Sequence, residues 1–332
     1  MEPEQYVPAF LEHEYVRTHP DLTDAARALL RTKILESPDS YAASVQSQAL
    51  ISYARVHEKL LAELRRLEDL PDDDTFEKKR GELFDQTRLA LFKITQTDEW
   101  CIDAQLLNTL LADVPLDSCL GDLMQIEQRT REHLQMVEPE FDPDSPHYWR
   151  DVSENKAAEL TRSNPLAIGW LHTIEALSCG CMASARYRAA QRYARNVMKS
   201  RGYDNRAIGT LLLAQARLED EDGFFATARE GGESLEDSPW YLLGRTLLLY
   251  KLDRRKNAKR ALRDFAERCD GGAFFLLNPT YLTPYLPVRP TPRSSWDLAH
   301  QAVWEADGII VDTPDFVSWT QGVEGIEDAS ER

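Results

Sequence analysis

The stretch that decides the fold runs from Asn164 to Ser200, NPLAIGWLHTIEALSCGCMASARYRAAQRYARNVMKS. Asn164-Pro165 reads as a helix start, since Asn caps free amides and proline at the first helical position has no amide left to satisfy. Cys179-Gly180-Cys181 is one residue short of the redox Cys-x-x-Cys spacing and reads as close packing at a tight inter-helical turn. Beyond it Arg188, Arg192, Arg195 and Lys199 step by 4, 3 and 4, which places them on one face of a second helix. Comparable start signals recur at Asp204-Asn205, Ser238-Pro239 and Asn278-Pro279, so the four are separated by 40, 34 and 40 residues. A period in that range predicts stacked helix-turn-helix units, each burying its apolar face against its neighbours.

Trp170 and Leu171 on the first helix, followed by Ala183, Tyr187 and Ala190 on the second, are spaced as in the tetratricopeptide repeat, which this region resembles. Leu243-Gly244 is similar to that family's Leu-Gly pair and is followed by Ala258, Leu262 and Phe265, with the turn DRRKN displacing the second helix by about two residues. Ile208 to Ala228 has the large-small pattern without a Gly at the expected place. The tail, NPTYLTPYLPVRP and a helix ending in DTPDFVSWTQG, resembles the close of tetratricopeptide-like proteins of the suppressor-of-tumorigenicity type and their bacterial relatives. There an Asn-Pro-containing extended strap precedes a short capping helix. The resemblance implies an all-α fold, an α-solenoid of stacked antiparallel helical hairpins.

The rest of the chain is also helical in its spacing. Ala49, Tyr53, Val56, Leu60, Leu64 and Leu67 form one stripe of a helix expected from Ser40 to Leu70, with Ser37 and Pro38 as its start. A second helix framed by Asp74 and Glu77 runs to about Thr95, and a third runs from Thr97 or Asp98 to Pro115. Residues 137–160, with VEPEFDPDSPHYW, read as an irregular connector. The expected divisions are an N-terminal helical region at 1–136, an acidic proline-containing connector at 137–160, tetratricopeptide-like hairpins at 161–277, and a proline-rich strap with capping helices and an acidic tail at 278–332. The strap holds Pro279, Pro284, Pro287, Pro290 and Pro292 beside Tyr281 and Tyr285. Proline fixes φ and removes donors, so this segment is expected to run extended, either sealing the solenoid end with its tyrosines or serving as a ligand for a partner.

Composition narrows the function classes. With 42% hydrophobic and 29% charged residues, the 332-residue chain has ordinary globular usage and enough length for a sizeable core. MEPEQYVPAF has no basic region leading into an apolar run, so no secretory signal is expected. The longest apolar candidate, around Leu242 to Leu252, is broken by Gly244, Arg245 and Lys251, and no membrane span is expected. Five scattered cysteines suit a reducing compartment, and the cytoplasm is the expected location. The net charge of −17 is uneven, −16 for 1–160, +5 for 161–270 and −6 for 271–332. An acidic surface repels phosphate backbones, which argues against a nucleic-acid partner.

Catalytic constellations are incomplete. Clustered carboxylates at Asp72, Asp73, Asp74 and Glu77 resemble the acidic magnesium site of isoprenoid and terpene synthases, which implies a magnesium-dependent all-α enzyme as the alternative function. The facing half of such a site is missing, and the same acids suit a helix N-terminus favoured by its dipole. Seven histidines form no HExxH pair, no phosphate loop is present, and neither cofactor nor metal is expected. The expected function is a non-enzymatic scaffold for a protein or peptide partner. Its binding residues are Arg188, Arg192, Arg195 and Lys199, suited to acidic segments, together with Trp170, His172, Glu175, Trp240 and Arg245 on the concave face. A second basic stripe, Lys251 with Arg254, Arg255, Lys256, Lys259, Arg260 and Arg263, carries the same two possibilities as the first, a solvated face or a partner site.

Overall fold

The computed structural model describes residues 1–68, 70, 72–278, 292 and 294–331. Among them the chain is all-α, with seventeen α-helices and no strand. It divides into two compact units, one of residues 1–173 with 199–205 and the other of 174–198 with 206–332.

In the first unit lie α1 (Pro3–Thr18), α2 (Asp24–Glu36), a 3-10 turn (Pro38–Tyr41), α3 (Val45–Glu68), α4 (Asp73–Thr97), α5 (Ile102–Leu110), α6 (Leu116–Val137), α7 (Glu154–Arg162) and the beginning of α8 (Pro165–Ala183). The long helix α3 packs on α1 and α4, α4 packs on α5, and α5 on α6. Its predicted stripe faces the core, with Ala49, Tyr53 and Leu60 buried. The predicted start differs: Ser37-Pro38 opens the short 3-10 turn, and α3 begins only at Val45 after Ser44 and Ser47 bond to each other's amides at 3.0 and 2.9 Å. The predicted third helix is shorter than expected, α5 running only from Ile102 to Leu110, and Pro115 serves as the N-cap of α6.

Residues 138–153 are irregular, as their prolines require, but belong inside this unit. Phe141 and Trp149 form an isolated bridge, and Phe141, Tyr148 and Trp149 are buried. The Trp149 indole donates to Thr161 Oγ1 at 3.0 Å, anchoring the segment to α7. Aromatic burial turns an acidic stretch expected to link two halves into core.

The second unit holds the rest of α8, then α9 (Tyr187–Met198), α10 (Ala207–Arg217), α11 (Glu221–Gly231), α12 (Pro239–Lys251), α13 (Arg255–Arg268), α14 (Gly272–Leu277), α15 (Ser295–Val311), α16 (Phe316–Gln321) and α17 (Ile326–Ser330). Helix pairs meet at three turns of one design. Ala185, Glu219 and Asp253 each take a left-handed conformation, at φ of 58°, 59° and 57°, and they are 34 residues apart. At each turn the next amide reaches back five residues, Arg186 to Cys181, Asp220 to Gln215 and Arg254 to Leu249, which satisfies a carbonyl the ending helix leaves free. α10 packs on α9, α11 and α12, and α12 packs on α13. Close approach of α10 and α12 needs Gly209, since a Cβ there would lie 2.5 Å from Trp240 Cγ. Gly244 lies against the Phe224 ring of α11, where a Cβ would sit 3.1 Å from the ring edge.

α8 is the helix, among the described residues, whose length and mean hydropathy of 1.3 match a membrane span, and 83% of that window is buried inside the protein. It supersedes Leu242–Leu252 as the longest apolar stretch. The strap residues Pro279, Tyr281, Pro284, Tyr285, Pro287 and Pro290 lie outside the described residues.

Candidate functional site

Helix α9 is sharply two-faced. Tyr187, Ala190, Gln191, Ala194 and Val197 are buried, while Arg188, Arg192 and Arg195 project into solvent. Their spacing covers about 10 Å of helix, the span of roughly three residues of extended peptide. The Arg192 guanidinium lies 5.2 Å from the Tyr193 ring. No acidic side chain among the described residues pairs with any of the three. Several other cations of this unit are matched, Arg217 to Asp312 at 3.3 Å, Lys251 to Glu219 at 3.2 Å and Arg254 to Glu221 at 2.8 Å. Lys199 is a correction to the predicted stripe. α9 stops at Met198, and the lysine belongs to the first unit, where its ammonium lies 3.5 Å from the Pro143 carbonyl and 5.9 Å from the Tyr148 ring.

The residues expected on a concave face are mostly core. Trp170 is buried among Phe141 and Tyr148, with ring centroids 5.3 and 4.9 Å away, and donates its indole N–H to Glu127 at 3.0 Å. His172 and Glu175 are buried. Trp240 donates to Glu305 Oε2 at 3.0 Å, and Thr210 reaches the same oxygen at 3.3 Å. None of these four side chains presents a surface to a partner, and Trp240 on α12 is covered by the chain's own α15, which packs on α10 and α12. Arg245 alone of the set is half-exposed, 3.5 Å from Asp264. A sequence signal for this cover existed: Glu305 sits three residues after Ala302 and four before Ile309, inside an apolar stripe where an acid needs a buried donor.

In the first unit the buried side chains of Tyr6, Asp103 and His172 form a network. Tyr6 donates to one Asp103 oxygen at 2.5 Å, and His172 Nδ1 lies 2.8 Å from the other. Burial pushes the carboxyl up, but the imidazole and the two hydrogen bonds outweigh it and hold Asp103 below the usual carboxylate range. A His–Asp pair can orient a general base, yet His172 is 2% exposed. The neighbouring Cys101 thiol is pushed up by burial and by Asp103, which opposes the thiolate a nucleophile needs. The network joins α1, α5 and α8 and is built for holding helices together.

Of the acidic cluster, Asp72 caps α4 by accepting from the Thr75 amide at 2.8 Å, and that bond holds its pKa down. Asp74 is exposed, Glu77 pairs with Arg80, and the Asp73 side chain lies outside the described residues. Donor atoms that could share a metal ion come together instead at Glu2, Glu4 and His57, within 4.8 Å of one another. Glu2 and Glu4 lie more than fifty residues from His57, so no local spacing in the sequence marks the group. No family model matches this sequence, and neither the curated proteins nor the solved structures give a match.

Proposed function

We propose that the second unit is a short tetratricopeptide-like solenoid of hairpins α8–α9, α10–α11 and α12–α13, and that the protein is a non-enzymatic scaffold binding an acidic protein segment through α9. The 34-residue spacing of the three turns supports the repeat, as do the small residues Ala176, Thr210 and Gly244, one per hairpin and again 34 apart. The observation that carries the binding reading is the exposed row Arg188, Arg192 and Arg195 on one helix face, unmatched by acids among the described residues. Planar guanidinium forks suit carboxylates, and an unpaired row costs a partner no intramolecular bond to displace. With α15 lying on α10 and α12, the outer face of the hairpins is the surface left for recognition. Five free thiols fit a reducing compartment, and we place the protein in the cytoplasm.

A fluorescein-labelled Glu-rich peptide titrated with the full chain tests this reading. Binding should weaken at least about tenfold between 0.05 and 0.5 M salt, since exposed charges are screened within a few ångströms there. Replacing Arg188, Arg192 and Arg195 together by Glu should abolish it with unchanged helicity. Equal binding by this variant would overturn the reading.

A further inference from the structure

A cavity of about 370 Å³ opens between α11, α12 and α13, lined by Phe225, Tyr241, Arg245, Leu249, Arg254, Asn257 and Arg260. Tyr241, Arg245 and Leu249 are four residues apart on α12 and therefore share one face, and Asn257 and Arg260 share a face of α13. Leu249 is buried at the floor, and Phe225 and Tyr241 are half-buried walls. All three charged lining residues are arginines. Arg245 is steered by Asp264 at 3.5 Å and Arg254 is gripped through two nitrogens by Glu221, so both forks are held in place before any ligand arrives. Arg260 is exposed and has no acidic partner among the described residues. Along the same helix Lys256, Lys259 and Arg263 add positive charge at exposed positions.

The geometry points to this cavity as the anchor pocket for an acidic protein segment that carries one bulky aromatic side chain. The ring enters between Phe225 and Tyr241 over Leu249, while flanking carboxylates meet Arg260 and its neighbours. A cavity of this size holds one aromatic side chain with adjoining backbone, and a single buried aromatic commonly dominates a protein interface. The arginines favour an acidic ligand, and this cavity takes a single anchor ring, as a protein segment supplies, where single-stranded RNA is held by successive stacking platforms. This inference rests on the scaffold reading and adds to it a site on different helices, separable from α9 by mutation.

The test uses the full chain and three labelled probes: a peptide of about eleven residues, all Glu or Asp except a central Trp, its Trp-to-Ala twin, and a single-stranded RNA of equal charge. The Trp peptide should bind at least about tenfold tighter than the Ala twin. Arg260→Glu, at an exposed position that should not disturb folding, and Tyr241→Ala, checked by circular dichroism, should each erase that preference. The α9 triple variant should weaken both peptides and leave their ratio unchanged. Equal affinities of the two peptides with sensitivity only to the α9 variant would overturn the pocket and spare the scaffold. Failure of both peptides to bind would overturn both, and tighter binding of the RNA would overturn the choice of partner.

Discussion

The two units solve the same problem, holding a stack of helices in register, by different means. The first is irregular in its helix lengths and ties α1, α5 and α8 through one buried set of ionisable groups, Tyr6, Asp103 and His172. The second repeats one turn every 34 residues and packs with small residues and neutral donors, as where the Trp240 indole and the Thr210 hydroxyl meet Glu305. The contrast teaches that stability in the first unit is concentrated in one network, while in the second it is spread over equivalent contacts. Concentrated stability is the easier to destroy.

The largest effect should therefore come from Asp103→Ala, which leaves both Tyr6 and His172 buried without their acceptor. Removing one member of a buried charged set costs about 4 kcal/mol, which lowers the melting temperature by roughly 10 °C in a unit of this size. The loss should depend on pH in a definite direction. Because the folded state lowers the Asp103 pKa, its contribution is complete above the unfolded carboxylate value of about 4 and disappears as pH falls through the lower folded value. Melting curves of wild type and variant should thus stay apart down to about pH 4 and draw together only as pH falls from there through the lower folded value. A variant melting within 2 °C of wild type at pH 7 would remove the first half of the comparison.

A smaller loss is expected in the second unit from Gly209→Ala. The new Cβ would fall 2.5 Å from Trp240 Cγ, and Trp240 is itself fixed by Glu305, so α10 and α12 must separate slightly. Overpacking of this kind costs about 2 kcal/mol. Only one interface in the array is touched, and denaturant titration should show a lower midpoint with an unchanged slope. A change in slope would mean that the repeat does not confine the damage.

Much of the second unit was legible from apolar spacing and helix-start residues. α8 and α12 begin at Pro165 and Pro239, as the Asn-Pro and Ser-Pro pairs predict, and α10 begins three residues after Asp204. The period was blurred nonetheless. Start signals depend on loop length and came out 40, 34 and 40 apart, while the structural register lies in turn residues Ala185, Glu219 and Asp253, which have no common chemistry. For the candidate site, the spacing of Arg188, Arg192 and Arg195 was visible, but the lack of neighbouring acids is a tertiary property. The burial of Trp170, His172 and Trp240 was equally out of reach, since it depends on Glu127, Asp103 and Glu305, each more than forty residues distant in sequence. Resemblance to a repeat family suggested a ligand face there, and around Trp240 the chain's own α15 lies on it.

The finest test of the comparison lies in the three turns themselves, where equivalence can be measured one residue at a time. A residue with a Cβ in the left-handed region carries about 1 kcal/mol of strain that glycine does not, offset in part by the greater freedom of glycine in the unfolded chain. Ala185 has no side-chain bond to compensate, so Ala185→Gly should stabilise by about 0.5 kcal/mol. Asp253 tolerates the conformation better, and its carboxylate pairs with Arg255 at 3.0 Å, so Asp253→Gly should be neutral or slightly destabilising. Glu219 falls between, with ordinary strain but an ion pair to Lys251 at 3.2 Å. Equilibrium unfolding of the three glycine variants should rank them Ala185, Glu219, Asp253 from most to least stabilised. Were Asp253→Gly the most stabilising instead, the turns would share backbone geometry without sharing energetics, and the second unit would be regular in shape alone.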